Sequence, residues 1–136
     1  MVDIKSILLV DDDDISNYVT KDIVDEAAIV KDVFIAMNGQ EALNLIQCKI
    51  DDNSLKQNAP MLVFLDINMP VMDGFEFLEA YEKSIDEDTR EDIHVVMLTS
   101  STDDQDVNRA QLHTISGYIP KPLTQEKLTE VLSKLY

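Results

Sequence analysis

Five consecutive apolar residues, Met61 to Leu65, run without alternation into Asp66, and a turn containing Pro70 follows before Asp73 and Gly74 open an amphipathic segment. A run with no polar face suits a strand buried on both sides, as in a parallel sheet covered by helices, although a buried helical segment shares that composition. Ile7 to Val10, Val33 to Ala36 and Val95 to Leu98 repeat the pattern. Asp11 and Asp12 close the first of these runs, and Thr99, Ser100, Ser101 and Thr102 close the last. A fifth, shorter run from Gly117 ends in Pro120, Lys121 and Pro122. In open α/β sheets ligands bind beyond the carboxyl ends of the strands, so polar groups at several strand ends are placed for chemistry. Taken alone, Asp66 is equally well a turn residue.

Between the strands the apolar period changes to that of helices. Ile15, Tyr18, Val19 and Ile23 follow Asp13 and Asp14, either of which can cap a helix. Asn38 with Glu41 precedes Ala42, Leu43, Ile46 and Ile50, and Asp73 with Glu76 precedes Phe77, Leu78, Tyr81 and Ile85. A fourth helix is expected over roughly 103–116, with a weak apolar face of Val107, Ala110 and Ile115. A fifth starts at Thr124 and buries Leu128, Val131, Leu132 and Leu135. Asp51 to Ala59 reads as a loop or frayed helix end and Asp86 to Asp92 as a charged loop; Cys48 reads as a half-buried helix residue, His94 and His113 as ordinary surface or strand-end residues.

The order is therefore (βα)5, an α/β fold with a doubly wound parallel sheet, right-handed crossovers and helices on both faces. The flavodoxin-like strand order 2-1-3-4-5 puts the fifth strand at an edge, where the missing N–H of Pro120 does no harm. It also makes the first and third strands neighbours. Asp11, Asp12 and Asp66 then converge, with Thr99 and Lys121 approaching from the fourth and fifth strands.

The 136 residues suffice for one domain, 1–136, and for one hydrophobic core. Eleven basic against 27 acidic residues give a net charge of −16, which opposes binding to phosphate backbones and anionic membranes; no direct nucleic-acid partner and no membrane insertion are expected. The single cysteine rules out an intramolecular disulfide, and with no apolar run of spanning length the expected compartment is the cytoplasm.

Crowded carboxylates repel, each close pair costing on the order of 4 kcal/mol at an effective dielectric near 20. Lys121 supplies one positive charge. An all-oxygen site without His or Cys suits Mg²⁺ or Mn²⁺. Beside such a cation one carboxylate can act as nucleophile toward a phosphoryl group, forming an aspartyl phosphate whose equatorial oxygens a hydroxyl and a lysine help neutralise.

Leu9 to Asp12, Leu65 to Pro70 with Asp73 and Gly74, Leu98 to Ser100, Gly117 with Tyr118, and Lys121 with Pro122 together resemble the response-regulator receiver domain of the single-domain, chemotaxis-regulator-like type. The resemblance implies that Asp66 is the phosphoacceptor. It implies that Asp12, Asp66 and the Asn68 backbone carbonyl hold Mg²⁺, with Asp11 acting mainly through water. Thr99 and Lys121 bind phosphoryl oxygens by the same resemblance, Tyr118 is the aromatic switch, and the Lys121–Pro122 bond is cis. Asn68 and Ser101 flank the phosphoryl group and tune its hydrolysis.

The implied donor is a histidine kinase or phosphotransfer protein. The implied output is a protein effector, or self-association, through the fourth helix, fifth strand and fifth helix. Such a chain is no enzyme beyond its own phosphorylation and dephosphorylation. A phosphorelay shuttle, a phosphate sink and a receiver excised from a hybrid kinase remain alternatives within signalling. The enzyme rival, a haloacid-dehalogenase-like phosphatase, needs an acid two residues after its nucleophile, where this chain has Asn68. A calcium loop fails because Ile15 stands at a ligand position. Asp51 to Ala59 and Ser84 to Asp92 are longer than in the shortest receivers, and Pro120 before Lys121 is unusual.

Overall fold

The computed structural model describes residues 4–100 and 103–135. Its sheet has five parallel strands, β1 (Ser6–Val10), β2 (Asp32–Ala36), β3 (Met61–Leu65), β4 (Ile93–Thr99) and β5 (Gly117–Pro120), in the order β2-β1-β3-β4-β5. Successive strand residues point to opposite faces, and in β1, β3 and β4 both faces are covered, which is why these strands read as unbroken apolar runs. Leu8, Val10, Val63, Leu65, Val95 and Met97 pack on one side under α2 (Gly39–Asp51), α4 (Gly74–Ser84) and α6 (Asp104–Ala110). Ile7, Leu9, Leu62, Phe64, Val96 and Leu98 pack on the other under α1 (Asp14–Ala27) and α7 (Gln125–Leu135).

The helix starts follow their caps. Asp13 accepts from the N–H groups of Ile15 and Ser16, Asn38 from that of Glu41, and Asp73 and Glu76 form a reciprocal capping box. At α7 the Thr124 hydroxyl accepts from the Lys127 N–H at 3.2 Å.

Several expectations are corrected. The inward residues of α1 are Asn17, Thr20 and Val24, whereas Ile15, Tyr18 and Val19 are exposed. The reason is local: the first turn lies over the polar end of the sheet, where the Asp11 carbonyl takes a hydrogen bond from the Asn17 amide at 2.8 Å. The segment read as a loop or frayed helix end and the one read as a charged loop each hold a short separate helix, α3 (Leu55–Asn58) and α5 (Glu87–Arg90). In α3, Leu55 is buried and Asn58 is fixed by Lys49 and by the Ser6 hydroxyl, which donates to its carbonyl; in α5, Asp86 caps the turn. The fourth crossover helix ends at Ala110 instead of near Ser116. Beyond it the chain is held by side chains: Glu82 of α4 accepts from the Thr114 N–H at 2.7 Å and pairs with the His113 ring at 2.9 Å. His113 is thus no ordinary surface residue, and it also packs against the Phe75 ring. Cys48 is exposed. Among the described residues no helix is long and apolar enough to cross a membrane.

Candidate functional site

The carboxyl ends of β1, β3, β4 and β5 meet at one pole of the sheet. Asp66 directly follows β3; its N–H donates to the Val10 carbonyl at 3.0 Å, and the Asp11 N–H to the Ala36 carbonyl at 3.1 Å, so both acids are seated by sheet-type bonds. Asp11 and Asp66 are buried and Asp12 is exposed at the mouth; one oxygen from each lies within 4.8 Å of the others. The Asp66 Oδ1 accepts from the Ile67 N–H at 2.8 Å, and the Asp11 Oδ1 from the Asp13 N–H at 3.0 Å. The remaining oxygens face Lys121, whose ammonium donates to Asp11 Oδ2 at 2.5 Å and to Asp66 Oδ2 at 3.3 Å.

Burial alone would lower the affinity of Lys121 for its proton. The Asp11 hydrogen bond and the charges of Asp66 and Asp11 outweigh it, and hold the lysine above its ordinary value. It is therefore a cation at any physiological pH.

Thr99 ends β4, is fully buried, and accepts the Lys121 N–H on its carbonyl at 2.9 Å. Tyr118 pairs in register with Met97 and packs half-buried against the same cluster, so Met97, Thr99 and Tyr118 share one face of the sheet. The Lys121–Pro122 bond is cis, and so is Ala59–Pro60, for which the sequence reading had no expectation. Asn68 is exposed in the loop after Asp66. Ser101 lies outside the described residues.

Two backbone features beside Asp66 are not legible in the sequence. The Cα of Gly74 is pressed against the Asp66 main chain, its N–H donating to the Ile67 carbonyl at 2.8 Å. Val71 takes a left-handed φ of 69° inside a tight turn closed by the Met72 N–H and the Pro70 carbonyl at 2.8 Å. For a β-branched residue that conformation costs on the order of 1–3 kcal/mol. A valine gives no sign of it; only the Pro-containing turn marks the place.

The donor set, three carboxylates without nitrogen or sulfur, fits a hard divalent cation and no soft one. Asp11, Asp12 and Asp66 are the residues that could hold it.

A parallel sheet of this order, with one acid just after β3, two just after β1 and a lysine after β5 that reaches Asp11 and Asp66, defines a receiver domain. The chain belongs to the response regulator receiver domain family, which it matches over residues 7–133, and is thus a receiver of two-component signalling. It is similar to the chemotaxis protein CheY of Halobacterium salinarum, 30% identical over 129 residues that make up 95% of this chain and 94% of that protein. It also resembles the probable methanogenesis regulatory protein FilR2 of Methanothrix harundinacea, at 34% identity over 79 residues, 58% of this chain. The matched part spans 49% of that relative's length. Among solved structures, a two-component response regulator from Cytophaga hutchinsonii superposes with a TM-score of 0.81 at 29% identity, covering 97% of this chain and 96% of that one.

Proposed function

We propose that this chain accepts a phosphoryl group on Asp66 from the phosphohistidine of a histidine kinase or phosphotransfer protein. The Asp66 carboxylate attacks phosphorus, the P–N bond breaks, and the electron pair returns to the imidazole of the donor. The observation that carries this reading is the bridge from Lys121 to both Asp11 and Asp66: a permanent cation sits beside the nucleophile, where the equatorial oxygens need countercharge. Mg²⁺, or Mn²⁺, held by Asp11, Asp12 and Asp66 with the Asn68 carbonyl, would supply further positive charge when bound. Thr99 offers its hydroxyl to the phosphoryl group, and Asn68 and Ser101 set how readily water attacks it.

The transfer is stoichiometric, one phosphoryl group per chain. Ile15, Tyr18 and Val19 form an exposed apolar stripe at the start of α1, next to Asp12, and we assign it to the donor because a donor histidine must come within bonding distance of Asp66. Output runs through Thr99 and Tyr118 to the face made by α6, β5 and α7, which engages a protein effector or a second copy; the charge of −16 disfavours nucleic acid. Incubation with acetyl phosphate and Mg²⁺ should add one phosphoryl group to Asp66, seen by mass spectrometry of the intact chain, and none in Asp66→Asn. Persistent labelling of that variant, or sustained hydrolysis of a generic phosphate ester, overturns the reading.

A further inference from the structure

Lys121 stands between two prolines. Neither Pro120 nor Pro122 has an N–H, so the main chain of this segment is joined to the sheet by the Lys121 N–H, which reaches the Thr99 carbonyl at 2.9 Å. The carbonyls of the two flanking prolines converge on one donor. The ammonium of Lys127, in the first turn of α7, lies 3.0 Å from the Pro120 oxygen and 3.0 Å from the Pro122 oxygen. The base of its side chain is firm: Leu128 beside it is buried, and Thr124 fixes the helix start. Its side chain lines an open cleft of about 310 Å³ between β5 and α7, and its bonds to the two carbonyls are exposed, so its ammonium could equally have remained in water.

We propose that Lys127 is a positioning residue for the chemistry at Asp66. By gripping the carbonyls before and after Lys121, it fixes how far that lysine reaches into the acidic pocket, and hence how its ammonium is shared between Asp11 and Asp66. The sharing is uneven in the resting protein, 2.5 Å to Asp11 against 3.3 Å to Asp66, so a small shift of the main chain changes which acid holds the charge. The proposal rests on Asp66 being the phosphoacceptor.

The test compares Lys127→Met, which keeps the stem and loses the donors, with Lys127→Arg, whose fork can span two carbonyls. Three quantities are read on the full chain: the thermal midpoint, the kinetics of phosphorylation by acetyl phosphate, and the side-chain NMR signal of Lys121 in metal-free protein. Lys127→Met is expected to lower the maximal rate about tenfold while changing the half-saturating acetyl phosphate less than about twofold, the pattern of a misplaced group and not of lost binding. The Lys121 signal shifts with it, and Lys127→Arg restores both. A wild-type rate with an unshifted Lys121 signal overturns the proposal. So does a rate loss that arginine fails to restore and that follows a lowered thermal midpoint. If the native chain itself takes no phosphoryl group on Asp66, the reading of the site fails instead, and the Lys121 signal still decides what Lys127 does.

Discussion

Gly74 lies so close to Asp66 that a Cβ at position 74 would stand 2.4 Å from the Asp66 carbonyl oxygen. The obstacle is main chain, which cannot turn aside as a side chain can. Gly74→Ala is therefore expected to destabilise the fold by about 1–3 kcal/mol and to slow phosphorylation, because the displacement falls on the residue that carries the nucleophile. Urea denaturation and acetyl phosphate labelling measure the two effects; an alanine variant equal to wild type in both shows that the loop yields freely.

Glu82 makes a pH-dependent tie between α4 and the segment after α6. Burial pushes its carboxyl up, but the Thr114 N–H and the His113 ring outweigh that and hold it below the ordinary 4.5. A depressed carboxyl contributes stability above its unfolded value and loses it as pH falls through the folded one. The contribution of Glu82, read against Glu82→Gln, should thus be fully present above about pH 4.5 and fade as pH falls below it. A quarter of the side chain is exposed, so screening keeps the difference near or under about 1 kcal/mol. A difference that grew as pH fell below about 4.5 would contradict the assignment.

Tyr81 is 1% exposed, and its hydroxyl has no partner among the described residues. Burial pushes the phenol well above its ordinary value, as expected of an oxygen kept from water. Removing a buried hydroxyl without a partner removes a desolvation cost, so Tyr81→Phe should leave stability unchanged or raise it by about 1 kcal/mol. Thermal melts decide this, and a clear loss would reveal a hydrogen bond.

Tyr18→Ser and Ile15→Ser probe the stripe on α1. Both side chains are about three-quarters exposed, at 74% and 76%, so the fold should not notice. Transfer from a phosphorylated protein donor should fall about tenfold, the effect of losing roughly 1.4 kcal/mol of contact, while labelling by acetyl phosphate stays at the wild-type rate. Equal loss with both donors would place the defect at Asp66 instead of at docking.

The central sheet was readable because a doubly covered strand leaves no room for polar residues, so Ile7 to Val10, Met61 to Leu65 and Val95 to Leu98 announce themselves. Adjacent parallel strands then brought Asp11 and Asp66 together without any knowledge of side-chain positions. What failed was the surface. On α1 the spacing of Ile15, Tyr18 and Val19 fits a helix, but periodicity cannot tell an apolar face that meets the core from one left for a partner. The demand of the Asp11 carbonyl for a donor, met by Asn17, decided which way the helix turned. The end of α6 was misread because Glu82, some thirty residues away, holds Thr114 outside any helix. Lys127 gave no signal, since a lysine on a helix usually means only solvent.

The short helices α3 and α5 both stand just before a strand begins, so these two additions to the bare (βα)5 plan lie at the opposite pole from Asp66. A five-residue strand separates the poles by about 17 Å. The last turn of α2 ends at that far side, and Cys48, exposed and the sole thiol of the chain, lies there. The molecule consequently offers one native attachment point for a dye or a surface, set at a distance where an observer can be tethered without disturbing what it watches.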